Sequence, residues 1–223
     1  MSTKSVPAVA DEYAPLLGDR RTPSKGERQR RAILEAVTAL LATRPIGDLT
    51  VGEIASEARV RRSGFYFYFE SKYTALAVST SEIWSELMDR TGAFNRRDNE
   101  TVHDFFRRTL ETTVGTWHTH DAVLVASIQA IPLDEQLAGM WRTWNARLVD
   151  IITEQVRKDQ EAGIAHPVCP DVHALVTTLL EMTMHTFYQD RLNKCSEAQT
   201  RTMIATVGGI WLASAWGITT GDT

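Results

Sequence analysis

Cysteine is scarce in this chain, which has only Cys169 and Cys195 among its 223 residues. Two thiols cannot form a disulfide framework and do not match a CxxC metal pattern, so we expect two reduced cysteines in a cytoplasmic protein. No apolar run approaches the roughly 18 residues of a membrane-spanning helix, and no apolar segment follows Lys4. We therefore expect neither a membrane span nor a signal peptide.

The sequence also lacks the motifs of common enzymes. It contains no GxSxG, no phosphate-binding loop, no GxGxxG and no HExxH. His118, His120 and Asp121 are the nearest approach to a metal site, but residues at i and i+2 diverge on a helix and no third ligand follows. We expect no metal, no cofactor and no catalytic activity.

Long β-branched runs are rare, whereas apolar residues recur at helical spacing. Ile33, Leu34, Val37, Leu40 and Leu41 place one apolar face on a first helix over about 27–42. Capping residues and breakers along the chain predict an all-α protein of nine helices. Further helices are expected to start near residues 50, 61, 71, 99, 134, 171 and 196, and a short sixth helix is expected to end at Pro132.

Charge is divided unevenly along the chain, although the net charge is only −4 and the pI about 5.9. Residues 20–72 carry 11 basic and 6 acidic side chains, whereas residues 73–223 carry 12 and 19. A basic N-terminal segment on an acidic remainder favours phosphate binding at one end. Residues 1–24 are predicted to be a disordered basic arm, which either contacts DNA or is a solvated tail.

A helix-turn-helix pattern follows the first helix. Thr50 and Glu53 fit a capping box, Arg59-Val60 fits a turn, and Arg61 is expected to open the next helix. Two short helices with arginines at the start of the second are typical of a DNA-reading unit. Arg61 and Arg62 can bind guanine edges or phosphates. Ser63 and Gly64 are small enough to let the backbone approach DNA.

Five aromatic residues, Phe65-Tyr66-Phe67-Tyr68-Phe69, continue that third helix. Tyr66 and Tyr68 can offer hydroxyls to phosphates, and Lys72 adds positive charge nearby. The alternative is a simple hydrophobic core at a corner between helices, and we favour this alternative for Phe65 and Phe69. It does not account for the clustered cations, because like charges gain nothing from proximity without an anionic partner.

The segment from Thr50 to Lys72, with its FYFYF-x-SK ending, resembles the DNA-binding segment of TetR-type bacterial regulators. The later MWRTWNARL and GIWLASAWG segments are most similar to the EthR-like subgroup. This resemblance implies a nine-helix fold with a three-helix DNA-binding domain at 25–72 and a ligand-binding and dimerisation domain at 73–223. By motif position it implies a DNA-contacting set of Thr50, Arg62, Ser63, Gly64, Tyr66, Tyr68 and Lys72. Arg61 joins this set because it is expected to lie in the first turn of the third helix.

Arg59 departs from the family pattern, because such proteins usually carry glycine in a left-handed conformation at this turn position. A non-glycine residue there costs roughly 1 kcal/mol or more. We predict that the helix-turn-helix persists despite this substitution.

Six tryptophans lie beyond residue 73, and aromatic residues at helical spacing usually form a core. The resemblance implies instead a lipophilic ligand cavity between the fifth, seventh, eighth and ninth helices. Its predicted lining is Phe106, Trp117, Trp141, Asn145, Leu148, Met182, Phe187 and Trp211. With few polar groups available, such a cavity would favour a mainly lipophilic ligand with one polar group.

The last two helices are predicted to form a homodimer, for which Gly208 and Gly209 would allow close packing. A kink within one subunit is the alternative explanation of these glycines. The resemblance implies a homodimer that binds a partly palindromic operator in double-stranded DNA, and we expect a repressor that is released by a small lipophilic effector. A ligand that instead favours the DNA-competent state is the alternative for the direction of this effect. The alternative is a helical protein that binds or sequesters a small molecule and has no DNA binding.

Overall fold

The computed structural model describes residues 24–91 and 94–219, and nine α-helices occur within those ranges, in agreement with the predicted all-α fold. Of the predicted arm at 1–24, residues 1–23 lie outside the described residues. The helices are α1 (Lys25–Leu41), α2 (Val51–Glu57), α3 (Arg62–Tyr68), α4 (Lys72–Thr91), α5 (Val102–Thr119), α6 (Asp121–Ala130), α7 (Glu135–Glu161), α8 (Val172–Leu192) and α9 (Glu197–Trp211).

Tertiary contacts divide the chain into two compact units, Met1–Leu76 and Ala77–Thr223. The sequence predicts a domain boundary after residue 72, which lies near this division. The N-terminal unit contains α1, α2 and α3, and the C-terminal unit contains α5 through α9. Within the described ranges, no helix is both long enough and apolar enough to cross a membrane.

The N-terminal unit is organised around a small apolar core to which each of its first three helices contributes. Ile33 and Val37 of α1, Ile54 of α2 and Phe65 of α3 are fully buried, and Phe69 is 2% exposed. The Phe65 and Phe69 rings lie 5.8 Å apart. Burying each of these side chains contributes about 1.5–3 kcal/mol. The prediction that Phe65 and Phe69 pack behind α3 is confirmed.

The connection between α2 and α3 is a tight turn. The Val60 amide donates to the Ala55 carbonyl at 2.9 Å, and the Arg59 amide donates to the Ser56 carbonyl at 3.1 Å. This Schellman pattern places the residue after the C-cap in the left-handed region, and Arg59 has a φ of 54°. The predicted persistence of the turn without glycine is confirmed. The expected start of α3 at Arg61 is one residue early, because Arg61 is extended and forms the N-cap.

Asp159, near the end of α7, organises one end of the C-terminal unit. Its carboxylate is 2% exposed and accepts hydrogen bonds from the Arg96 guanidinium and, at 2.8 Å, from the Trp216 indole nitrogen. A buried carboxylate requires such partners because its desolvation is costly. The segment that ends at Trp216 also differs from the sequence prediction. The ninth helix, expected to reach Trp216, ends at Trp211 and continues as a π-helical turn over Leu212–Trp216.

Gly208 and Gly209 have different surroundings. A Cβ atom on Gly208 would lie 3.2 Å from a Leu110 methyl group, so Gly208 allows α9 to pack closely on α5 of the same subunit. A Cβ atom on Gly209 would meet nothing within 4 Å. The close approach at Gly208 is therefore explained within one subunit and gives no support to its predicted use in dimerisation.

Replacing Arg59 by glycine should raise the free energy of unfolding by about 0.5–1 kcal/mol. The substitution removes the cost of a left-handed non-glycine residue, partly offset by the greater freedom of glycine in the unfolded chain. Urea denaturation followed by circular dichroism measures the change. Arg59→Ala is the matched control, since it removes the same side chain but keeps the Cβ atom. Equal stabilisation by alanine would contradict the backbone explanation.

Candidate nucleic-acid interface and ligand site

One face of α3 and its N-cap is exposed, and the opposite face is buried. Tyr66 is 47% exposed and Phe67 is 81% exposed, whereas Phe65 on the opposite face is fully buried. The residues that share the exposed face are Arg61, Arg62, Ser63, Tyr66 and Phe67. Burial of one face fixes the rotation of α3 about its axis, so these side chains form a single outward surface, here called the α3 surface.

Positive charge on the α3 surface is not neutralised by the described part of the chain. Arg61 and Arg62 form no ion pair there, and the Arg62 guanidinium lies over the Tyr66 ring with its carbon 5.8 Å from the ring centre. Stacking on an aromatic ring leaves the N–H groups at the edge of the guanidinium able to bind an acceptor. Both arginines can therefore bind phosphates or guanine edges.

Thr50 begins α2 through the predicted capping box. Its hydroxyl accepts from the Glu53 amide at 3.2 Å, and its own amide donates to the Glu53 carboxylate at 2.8 Å. Hydrogen bonds from Thr50, helped by Arg44 at 2.9 Å, lower the pKa of Glu53 to about 2. The carboxylate is thus ionised at neutral pH, and the cap is intact. Thr50 is exposed and therefore accessible to a ligand. Its contact with DNA remains a prediction.

Tyr68 and Lys72 both have partners within the N-terminal unit. The Tyr68 hydroxyl donates to the Gln29 side chain at 3.2 Å, which joins α3 to the start of α1. The Lys72 ammonium donates to the carbonyls of Gly47 and Leu49, both at 2.8 Å. These bonds position the segment before Thr50. The predicted contacts of Tyr68 and Lys72 with DNA are untested, but both side chains already stabilise the fold.

Gly64 is only partly buried, and a Cβ atom there would lie 3.7 Å from the nearest side-chain atom, in Val60. That distance is an ordinary van der Waals contact, so alanine fits in the free protein. Glycine within a helix costs about 1 kcal/mol relative to alanine. Nothing inside the described chain therefore requires glycine here, and its predicted contact with DNA remains untested.

Phe67 belongs to the α3 surface, although no DNA contact is predicted for it from the sequence. Its ring packs edge-on against Tyr68, with ring centres 4.9 Å apart, and is otherwise directed outward. The spacing could have identified it, because a residue midway between the buried Phe65 and Phe69 lies on the opposite side of a helix. An outward aromatic side chain can contact thymine methyl groups or sugars.

The C-terminal unit has an open groove of about 550 Å³ between α6, α7 and α8, here called the outer groove. Trp141 and Asn145, both predicted ligand contacts, line it. Its apolar wall includes Ile128, Ile131, Val149, Leu180 and Met184, and its polar rim includes Arg142, His173, Glu181 and His185.

Behind this groove lies an inner cavity of about 40 Å³, which is close to the space of a single water molecule. Phe106, Phe187 and Trp211 line it, as predicted for a ligand site. Leu180 and Met184 line both the outer groove and the inner cavity, so they form the wall between the two spaces. The inner cavity alone is too small for an organic ligand.

The remaining predicted ligand contacts lie elsewhere. Met182 lines a separate open groove of about 510 Å³ between α8 and α9, here called the α8–α9 groove. Trp117 and Leu148 are each 1% exposed and line none of these three spaces. The eight predicted residues thus lie in the outer groove, the inner cavity, the α8–α9 groove and the core. The ligand contacts remain untested.

Among residues 24–91 and 94–219, no group of three or more His, Cys, Asp and Glu side chains could hold a metal ion. His118 has a different partner, because its imidazole lies 3.2 Å from the buried Asp190 carboxylate. Thr200 and Arg191 donate to the same carboxylate. Although burial acts to raise the pKa of Asp190, these hydrogen bonds lower it overall, so Asp190 is an ionised partner that joins α5, α8 and α9.

Two family profiles match the chain. "Bacterial regulatory proteins, tetR family" matches residues 33–80, and "Transcriptional regulator EthR, C-terminal domain" matches residues 106–217. The curated relatives include the HTH-type transcriptional regulator EthR of Mycobacterium tuberculosis strain H37Rv, 25% identical over 202 residues, with 90% of this chain and 93% of the relative covered. EthR of Mycolicibacterium smegmatis is 25% identical over 203 residues, covering 90% and 92%.

Solved structures share the fold at low identity. The fatty acid degradation regulator FadR from Bacillus halodurans has a TM-score of 0.67 at 15% identity, covering 87% of this chain and 97% of its own. The TetR family regulator PfmR from Thermus thermophilus has a TM-score of 0.64 at 18% identity, covering 82% and 97%. The EthR profile alone covers half of the chain. The protein therefore belongs to the TetR family of non-enzymatic, DNA-binding transcriptional regulators, with a C-terminal domain of the EthR type.

Proposed function

We propose that this regulator is a homodimeric cytoplasmic repressor that binds its operator through the α3 surface and leaves it when a lipophilic ligand binds. The observation that carries the DNA-binding site is the pair Arg61 and Arg62, exposed beside Tyr66 and Phe67 without any carboxylate partner in the described chain. Exposed cations on a rigid short helix match the geometry of a recognition helix in the major groove.

The residues predicted to contact DNA divide into two groups in this proposal. Arg61, Arg62 and Ser63 have exposed side chains and read bases or bind phosphates. Tyr68 and Lys72 act chiefly through their bonds to Gln29 and to the carbonyls before Thr50, which position the first group. Base contacts provide specificity, whereas phosphate contacts provide salt-dependent affinity.

The α8–α9 groove is proposed as the dimer interface. It is lined by Met182, Met203, Val207, Ile210 and threonines, without a charged side chain. Ala198 and Gln199 also line it, and the neighbouring Ala205 of α9 is exposed. An uncharged apolar groove fits a second copy of the same two helices, since a twofold interface pairs one patch with itself. Two copies of α3 would then enter major grooves about 34–36 Å apart.

The effector site is proposed at the outer groove, with the inner cavity as its extension. A volume of about 550 Å³ lies within the range of small-molecule sites, and an apolar wall with a polar rim suits a mainly lipophilic ligand. Repression is released only if the ligand binds the DNA-incompetent state more tightly. Moving a population from 99% to 1% competent requires roughly 5.5 kcal/mol of differential affinity.

Replacing Arg61 and Arg62 together by alanine should weaken binding to DNA from upstream of the protein's own gene. Each lost phosphate contact lowers the slope of log affinity against log salt by about 0.9, so the slope should fall by about 1–2. Fluorescence anisotropy across a salt series measures this change. Because both side chains are exposed, the melting temperature should change little.

Lys72→Ala is the comparison variant, since it removes a cation that donates to Gly47 and Leu49 and should lower the melting temperature. If the arginine double variant unfolded at a clearly lower temperature, Arg61 and Arg62 would be structural. If its DNA affinity and salt slope matched those of the native protein, the α3 surface would not be the DNA interface.

Gly64→Ala should change the stability of the protein and its affinity for the operator in opposite directions. Alanine fits the free protein and should stabilise α3 by up to about 1 kcal/mol, while its methyl group keeps DNA from the backbone. We expect a higher melting temperature with weaker operator binding in the same preparation. Gly115→Ala, the same substitution within α5 and with nothing within 4 Å of the added Cβ atom, is the control for helix stabilisation without a change in the α3 surface. Unchanged operator affinity in Gly64→Ala would remove the close-approach explanation.

Ile210→Glu should convert the dimer into monomers, because it places a charge in the α8–α9 groove where no cation is available. Sedimentation velocity at micromolar concentration measures the outcome. Leu133→Glu is the matched control, since Leu133 is also an exposed aliphatic residue, at 58% exposure, and lies outside that groove. A dimer that persists in Ile210→Glu, or is lost equally in Leu133→Glu, would contradict this interface.

A further inference from the structure

The charged side chains of the outer groove differ in whether they have partners. The Arg142 guanidinium lies 2.6 Å from the Glu135 carboxylate, and His173 lies 3.8 Å from the Asp150 carboxylate. Glu181 also lines the groove and is exposed, but it forms no ion pair or hydrogen bond within the described residues. The groove therefore presents one carboxylate that no side chain of the described chain neutralises.

Aromatic rings lie in the same groove as this carboxylate. Trp141 and Tyr188 line it, and Trp141 is fixed by an edge-on contact with the buried Trp84, with ring centres 5.9 Å apart. The face of an aromatic ring attracts a cation, and indole attracts it most strongly. A carboxylate together with aromatic rings is suited to an organic ammonium group, whereas an anionic group would be repelled by Glu181.

We propose that the effector of this regulator is a lipophilic cation, an amphiphile whose ammonium group pairs with Glu181 and whose apolar chain lies along the outer groove. This inference rests on the proposed ligand site. The apolar chain would contact Leu180 and Met184, which separate the groove from the inner cavity. Methionine is flexible, so displacement of Met184 would open the phenylalanine-lined inner cavity to the chain terminus.

The acidity of the rest of the chain supports this preference. Residues 73–223 carry 19 acidic and 12 basic side chains, so the potential around this part of the protein attracts cations. Arg142 does not cancel the charge of Glu181, because Glu135 already neutralises it. A cationic amphiphile is thus favoured both during approach and in the groove.

The test compares three probes that share an octyl chain: octyltrimethylammonium, octan-1-ol and octanoate. Isothermal titration calorimetry with the full-length protein should give octyltrimethylammonium an affinity about tenfold above that of the other two, as expected for a cation beside a carboxylate and aromatic rings. Glu181→Gln should remove this preference without changing the melting temperature, because Glu181 is exposed. Glu154→Gln, which removes an exposed carboxylate of α7 outside the groove, should retain it.

Tighter binding of octan-1-ol or octanoate than of the ammonium probe would overturn the inference, as would an undiminished preference in Glu181→Gln. Operator release is measured separately with the same probes. If a neutral or anionic probe binds and releases the operator, the proposed ligand-released repressor stands and only the cation preference fails. If no probe binds, both the cation preference and the outer groove as effector site are wrong.

Discussion

Burial of Phe65 and Phe69 is the interaction on which the α3 surface depends. Both rings are at most 2% exposed, and they fix the rotation of a helix of only seven residues. A helix of that length is not stable by itself, so its conformation comes from packing. The same burial turns Arg62 and Phe67 outward, and the tight turn at Arg59 determines where the helix begins. The orientation of these exposed side chains therefore follows from hydrophobic contacts on the opposite side of the helix.

Polar contacts around this core divide the cations into two kinds. Lys72 donates to two backbone carbonyls, and Arg44 lies beside Glu53. The charges of Lys72 and Arg44 are thus partly neutralised by contacts within the N-terminal unit. Arg61 and Arg62 are exposed and form no ion pair within the described residues, so their charge remains available to an anion. A count of positive charges along the sequence does not separate the two kinds, because only the positions of carbonyl and carboxylate oxygens decide which cation is already satisfied.

The C-terminal unit combines a tightly bonded end with a region that contains unfilled space. Asp159 joins α7 to the π-helical turn through Trp216, and these buried bonds leave little freedom there. Between α7 and α8, by contrast, lies the outer groove. Leu180 and Met184 line both this groove and the inner cavity, and they separate the two spaces. Packed regions transmit a change, and loosely filled regions accept a ligand. The proposed release by an effector requires both.

The sequence alone determined the helical fold, the helix-turn-helix and the burial of Phe65 and Phe69, because helical periodicity, capping boxes and short turns are local properties. Resemblance in three segments identified the family. Only the tertiary structure decided that Phe67 is outward, that Lys72 bonds to carbonyls more than twenty residues away in sequence, and that α9 gives way to a π-helical turn. It also placed Phe106 and Trp141 in different spaces. Such facts depend on contacts between distant segments, which no local pattern specifies.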